Sequence, residues 1–420
     1  MRNLGKVGIM LKKYKKGLLV ILILYITSIL IGCKNKELGD NYVSNEDAQY
    51  MFMQSTLDRY IAKSDSGYYF ANGLYIYYAD KETMQPVILC DKPNCLHDKE
   101  TDPYKKQECN AFIGSDLSNK LFAIYEDYIY YYGINEKDNY SDYIFRISLD
   151  GNEKKAITKV EGNVTMMTIH RGKLYYSTYE DIPSSEKKYE GEKISKLIEY
   201  DFLKPYSKPN VIKEFKNMDG GISYIIPFGN RVYFNEYTFD DSSYGLDSTI
   251  QIYDIKNKKI DKLYDHKESI YTIFKDKIIF ATIKEENGEY KRDPHVYICD
   301  LDGDNKKLLF NQEILENFYS DNKYIYFDNA RLIQDDNLER LLTVMNEDGE
   351  VIDKININEV KPAFTFIGSD GENLFVKYED EEKSYIKYID INKVGTGQAK
   401  LETLFEIEKA YMDSTVIYKK

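Results

Sequence analysis

Tryptophan is absent from all 420 residues, and histidine (4), cysteine (5) and proline (9) are scarce. Without Trp the commonest aromatic platform for sugars is gone, and five cysteines are too few for a disulfide-built scaffold. The histidines stand far apart in sequence. No H-E-x-x-H pair, G-x-S-x-G elbow or phosphate-binding loop occurs. Positive charge is also in deficit: 57 Lys and Arg against 70 Asp and Glu give a formal net charge of −13. An acidic chain with only scattered Lys pairs has no footprint for nucleic acid. Long apolar runs are limited to one, residues 17–31, which excludes a polytopic membrane protein.

That single run follows Arg2, Lys6, Lys12, Lys13, Lys15 and Lys16, with no acid before it. A basic region followed by 15 apolar residues is the pattern of an export leader, shorter than the roughly 20 residues that span a bilayer. It closes on Leu30-Ile31-Gly32-Cys33, which resembles the lipobox of bacterial lipoproteins. The resemblance implies cleavage before Cys33 and acylation of its sulfur, hence a partner in the lipid bilayer. Losing the six basic residues of the leader takes the formal charge from −13 to −19. The mature protein is then expected on the extracytoplasmic face of the cell membrane, and its Asn and Lys richness suits a low-GC Gram-positive bacterium.

What is abundant is aromatic: 41 Tyr and 19 Phe, concentrated in short runs between Gly, Asn and Asp turns. These runs read as strands. One of them recurs as Tyr128–Tyr132, Lys173–Tyr176, Arg231–Phe234, Lys277–Phe280, Tyr324–Phe327, Asn373–Val376 and Thr415–Tyr418. The second positions, from Ile129 to Val416, are spaced by 45, 58, 46, 47, 49 and 42 residues. A period of about 40–50 residues holds four strands, the size of a propeller blade. An Asp-Gly turn returns between the third and fourth strands at Asp150-Gly151, Asp302-Gly303 and Asp348-Gly349. The charged stretch 184–203 accounts for the one long spacing and reads as an inter-strand excursion.

The expected fold is therefore all-β: a seven-bladed β-propeller, with six or eight blades as the neighbouring counts, closed by a blade shared between the N- and C-terminal ends. The chain divides into a leader (1–32), a segment holding Cys33, a polar tether and a short helix (33–66), and the propeller (67–420).

Cys90, Cys95, His97 and Cys109 lie together in one polar loop, CDKPNCLHDKETDPYKKQEC. Outside the cytoplasm a disulfide persists, and Cys90–Cys109 or Cys95–Cys109 are the pairs the loop favours. The same Cys3His set is chemically competent for structural zinc, although its spacing is not a standard one. Cys299, in an alternating strand-like run, reads as a buried thiol. A weaker ligand-binding candidate is the loop carrying Tyr237, Asp240, Asp241 and Tyr244, where aromatic and acidic groups meet.

The leader with Cys33, the segment GYYFANGLYIYYADKETMQPVILCDKPNCLHD and the repeats that follow resemble Clostridia and Bacilli lipoproteins bearing a domain of unknown function. That domain is similar to the β-propeller of low-density-lipoprotein-receptor-related proteins. More distantly, the Asp-Gly repeats are similar to TolB-type propellers. The resemblance implies fold and location but no catalytic residues. The expected function is a noncatalytic, membrane-anchored propeller that binds a peptide, glycan or envelope protein. The alternative is an extracytoplasmic hydrolase or lyase acting on polysaccharide or peptide, with carboxylates from several blades meeting at the axis.

Overall fold

The computed structural model describes residues 39–408 apart from short stretches, the longest being 54–60, 114–121, 183–191, 240–245 and 329–338. Seven antiparallel sheets, each a four-strand meander, occupy 61–88, 122–159, 163–216, 220–262, 268–311, 317–356 and 365–408. These are blades one to seven, and the strands of each are called A to D in chain order. The A strands touch from blade to blade: Ile61–Lys63 meets Phe122–Tyr125, and Glu268–Phe274 meets Asn317–Ser320. They therefore line the axis, and the D strands form the rim. In every blade the A–B and C–D turns fall on one face of the ring, and the B–C and D–A connections on the other.

Burial follows this layout. Each inner strand has a neighbouring blade against both of its faces, so its apolar residues run without alternation. Ile278, Ile279, Phe280 and Ala281 of blade five are all fully buried. Strand D of blade two, Lys154–Lys159, has no buried residue. The recurrent aromatic position of strand B is buried as Tyr130, Tyr175, Tyr233, Tyr326 and Phe375. Buried phenols need partners: Tyr233 Oη donates to the Leu301 carbonyl at 2.8 Å and Tyr326 Oη to Asp321 at 2.6 Å.

The Asp-Gly turns have a second role. At Gly349 (φ +81°) a Cβ would come within 2.3 Å of the Leu309 carbonyl oxygen, on strand D of the preceding blade. Gly151 (φ +77°) meets Leu89 in the same way, at 2.8 Å. The glycine permits both the left-handed turn and the close approach of two blades.

Seven is the blade count, but closure differs from expectation. Blade one holds four strands of its own and blade seven four more, so among the described residues no sheet combines the two ends. Residues 410–418, expected to supply the shared strands, lie outside the described residues. Closure is by side chains: Phe70 stacks on Phe405 with centroids 3.9 Å apart, Tyr68 Oη donates to Asp370 at 3.2 Å, and Lys63 Nζ pairs with Asp370 at 2.8 Å. The ring begins at Ile61, ahead of the expected residue 67, because strand A of blade one is only Ile61–Lys63.

The N-terminal side brings a further strand. Phe52–Met53 pairs antiparallel with Asn317–Ser320, through Phe52 with Ser320 and Met53 with Tyr319. It lies on the free inner edge of blade six, inside the ring, and runs from the A–B-turn face toward the opposite one. Of the helix expected before the ring, residues 52–53 and 61–63 are strand. Within the long third repeat, Glu192–Tyr200 is an ordinary strand C, paired along its length with strand B. Among the described residues no helix is long and apolar enough to cross a membrane.

Candidate metal centre

Strand D of blade one ends at Ile88, and an excursion of 33 residues separates it from Phe122, where blade two begins. Among the excursion's described residues the regular elements are a 3-10 turn, His97–Lys99, and a short helix, Pro103–Lys106. The helix starts on Asp102, whose carboxylate accepts the Tyr104 amide at 2.9 Å, with Pro103 at its first position. Both are ordinary start signals. The chain leaves this helix through Gln107 and Glu108 to deliver Cys109, which is almost fully buried. Next to it Asn110 pins the excursion to the Asp-Gly turn of blade two, donating to the Gly151 and Asn152 carbonyls at 2.8 and 2.9 Å.

The loop gathers its four donors. One ligand atom from each of Cys90, Cys95, His97 and Cys109 lies within 4.8 Å of all the others. None of these cysteines is disulfide-bonded. The disulfide favoured on compartment and spacing, Cys90–Cys109 or Cys95–Cys109, is thus not formed: the loop wraps all four donors about one point and does not bring any two sulfurs to bonding distance. His97 Nδ1 stands 3.5 Å from Cys109 Sγ. In a zinc tetrahedron with Zn–S about 2.3 Å and Zn–N about 2.0 Å, the N–S edge is about 3.6 Å. His97 reaches this position with φ +53°, an uncommon backbone conformation for a non-glycine residue, and the kind of local strain that collects at functional sites.

The surroundings suit thiolates. Burial opposes ionisation of Cys90, but the amides of Lys92 and Asn110 point at its sulfur and bring its pKa below the ordinary thiol value. Burial and the neighbouring Cys90 charge push Cys109 well up, while the Ala111 amide works the other way. Two sulfurs this close resist ionising together unless a cation is shared between them. Two phenols complete the shell. Tyr75 Oη donates to the His97 carbonyl at 2.9 Å and so fixes the turn that carries the imidazole. Tyr131 is fully buried and its hydroxyl has no hydrogen-bond partner; burial first, and the Cys109 sulfur second, keep the phenol protonated. An orphaned buried O–H is a donor available to a metal-bound thiolate within its reach. The four residues thus form a metal-binding site of the composition and closed character that structural zinc takes. Tyr75, Tyr131 and the three amides carried no signal in the sequence, where each tyrosine is one of many in strand-forming runs.

Tyr237 is half-buried on strand B of blade four, its ring against Gly221, while Asp240, Asp241 and Tyr244 lie outside the described residues, as does Cys33. Cys299 is a buried thiol, as expected, and burial pushes its pKa up to about 11. A cleft of about 490 Å³ beside it is lined by charges that pair with one another, Lys275 with Glu347 at 2.6 Å and Lys277 with Asp300 at 2.5 Å.

No family model matches the chain, and no curated protein sequence matches it. Among solved structures it is similar to the tricorn protease, at TM-score 0.50 and 9% identity over 88% of this chain and 36% of that one. It is also similar to prolyl oligopeptidase B from Galerina marginata, at TM-score 0.50 and 12% identity over 82% and 49%. The match to TolB from Acinetobacter baumannii has TM-score 0.36 and 13% identity over 82% and 78%. The chain spans about a third to a half of the two peptidases, and at these identities the likeness is one of fold alone: the chain is built as a β-propeller.

Proposed function

We propose that this protein is a binding propeller of the cell envelope, held at the extracytoplasmic face of the cell membrane by acyl chains on Cys33. Its zinc-stapled loop is a structural element, and its rim loops recognise a peptide, glycan or envelope protein. The observation that carries the binding reading is the strand Phe52–Met53 laid along Asn317–Ser320. A propeller hydrolase gathers its acids at the axis, and here the chain's own backbone lies there. Recognition is left to the loops, as is usual where a rigid scaffold carries variable connections. The B–C connection of blade four, with Tyr237, Asp240, Asp241 and Tyr244, is the first to test.

The experiment follows the anchor. Cells fed an alkyne fatty acid should label the wild-type protein and not Cys33→Ala, and the variant should move from the membrane fraction to the medium. Unchanged labelling and retention of Cys33→Ala would count against the reading.

A further inference from the structure

The segment between the anchor and the ring is too polar to form a core, and its sequence reads as a spacer. In the structure it is bound. Arg171, in the A–B turn of blade three, donates its amide to the Glu46 carbonyl at 2.6 Å, and its guanidinium to the Asn41 carbonyl at 3.1 Å and to both carboxylate oxygens of Asp47. The same guanidinium reaches Asn230 Oδ1 at 2.7 Å, and Asn230 Nδ2 donates to Asp40 at 2.9 Å. Asp47 is only 4% exposed and also accepts the Val43 amide at 2.9 Å. Gly229 (φ +56°) lies so close that a Cβ there would come within 1.9 Å of the Asp40 carbonyl oxygen. Tyr42 packs its ring at 6.5 Å from Phe228. A buried bidentate Arg–carboxylate pair, a glycine contact that only bare backbone allows and an aromatic pair describe a dock, not a leash.

Among the described residues, the ring partners of this segment lie at A–B turns of blades two, three and four: Tyr125, His170, Arg171, Phe228, Gly229 and Asn230. We infer that residues 40–47 fix the ring with its A–B-turn face toward the membrane, so that the face of the B–C connections points outward as the partner-binding surface. This rests on the anchoring at Cys33 proposed above. Seven peptide steps separate Cys33 from Asp40, a reach of at most about 25 Å. Strands of nine residues such as Arg231–Phe239 put the opposite face about 30 Å farther away. A loose tether running to residue 61 would reach several times farther and set no orientation.

Two measurements on the full acylated protein test this. The first is hydrogen exchange at the amides of Val43 and Asp47, which donate within the dock to the Asp47 carboxylate and the Val43 carbonyl. Exchange should be slowed at least about tenfold in the wild type and be released in Asp47→Ala and in Gly229→Ala. Gly229→Ala alters the ring and Asp47→Ala the segment, so a folding defect in one does not decide the matter. Free exchange in the wild type would overturn the dock. The second measurement uses vesicles of phosphatidylglycerol with an acceptor dye on the headgroups. A donor dye at Asp276→Cys, in an A–B turn, should transfer energy more strongly than one at Glu382→Cys, in a B–C turn. Equal or reversed transfer in protein that floats with the vesicles would overturn the orientation. Failure to float would instead sink the anchoring, and hydrogen exchange would still decide the dock.

Discussion

His97 Nδ1 lies 3.5 Å from Cys109 Sγ across a loop in which they are twelve residues apart. As neutral groups the two share a weak hydrogen bond, but ionising these clustered thiols together calls for a shared cation. Purified mature protein is therefore expected to carry about one zinc per chain by elemental analysis, and Cys109→Ser to carry none. Stripping the metal with a chelator should lower the melting temperature. Protein free of metal, with fewer than three of these thiols reactive under denaturing conditions, would show a disulfide instead.

Tyr131 gives a sharper test because the two possibilities have opposite signs. If its hydroxyl donates to a zinc-bound Cys109 sulfur, Tyr131→Phe should weaken zinc affinity about 10–100-fold in competition with a chromophoric chelator. In a metal-free site the same substitution removes a buried unsatisfied hydroxyl, and stability should be unchanged or slightly higher.

Ring closure depends on Phe70, which is fully buried and stacked on Phe405. Phe70→Ala should cost about 3–5 kcal/mol in denaturant unfolding, the usual range for a large-to-small core change. Val87→Ala, on strand D of the same blade and 55% exposed, should change little. Equal effects would mean that the two ends are held together by something other than this packing.

His170 sets an acid limit. It is fully buried, burial lowers its pKa to about 4, and Asp47 and the Gly229 carbonyl only partly oppose this. Its Nε2 donates to the Gly229 carbonyl at 2.8 Å, a bond that either protonation state can make, so burial is what favours the neutral ring. A folded pKa below the unfolded value of 6.5 means that the unfolded chain takes up the proton first. The contribution is thus intact above pH 6.5 and is lost between about 6.5 and 4, reaching about 3 kcal/mol. Unfolding measured across this window should show that slope in the wild type and a flatter one in His170→Gln.

Blade number and strand order were legible because the B strands carry consecutive apolar residues such as Ile278-Ile279-Phe280, and because Asp150-Gly151 and its repeats mark the same turn each time. Closure was not, since a stack of Phe70 on Phe405 joins residues from opposite ends of the chain and leaves no local pattern. The four metal donors were visible as a set, but choosing between a bond and a metal needed their arrangement in space. Arg171 was invisible as an anchor. One arginine in a turn has no signature until Asp47, 124 positions earlier, is found against it.

The strand Phe52–Met53 inside the ring constrains the order of assembly. With Cys33 acylated as proposed, the N-terminal end of the chain could not be threaded through a finished ring, and the other end of the strand continues covalently into blade one. Blades two to seven must therefore build up around a segment that is already in position. The contact of blade seven with blade one, made by the last and first blades of the ring, is the clasp that traps it. Opening that clasp is then what would release the strand.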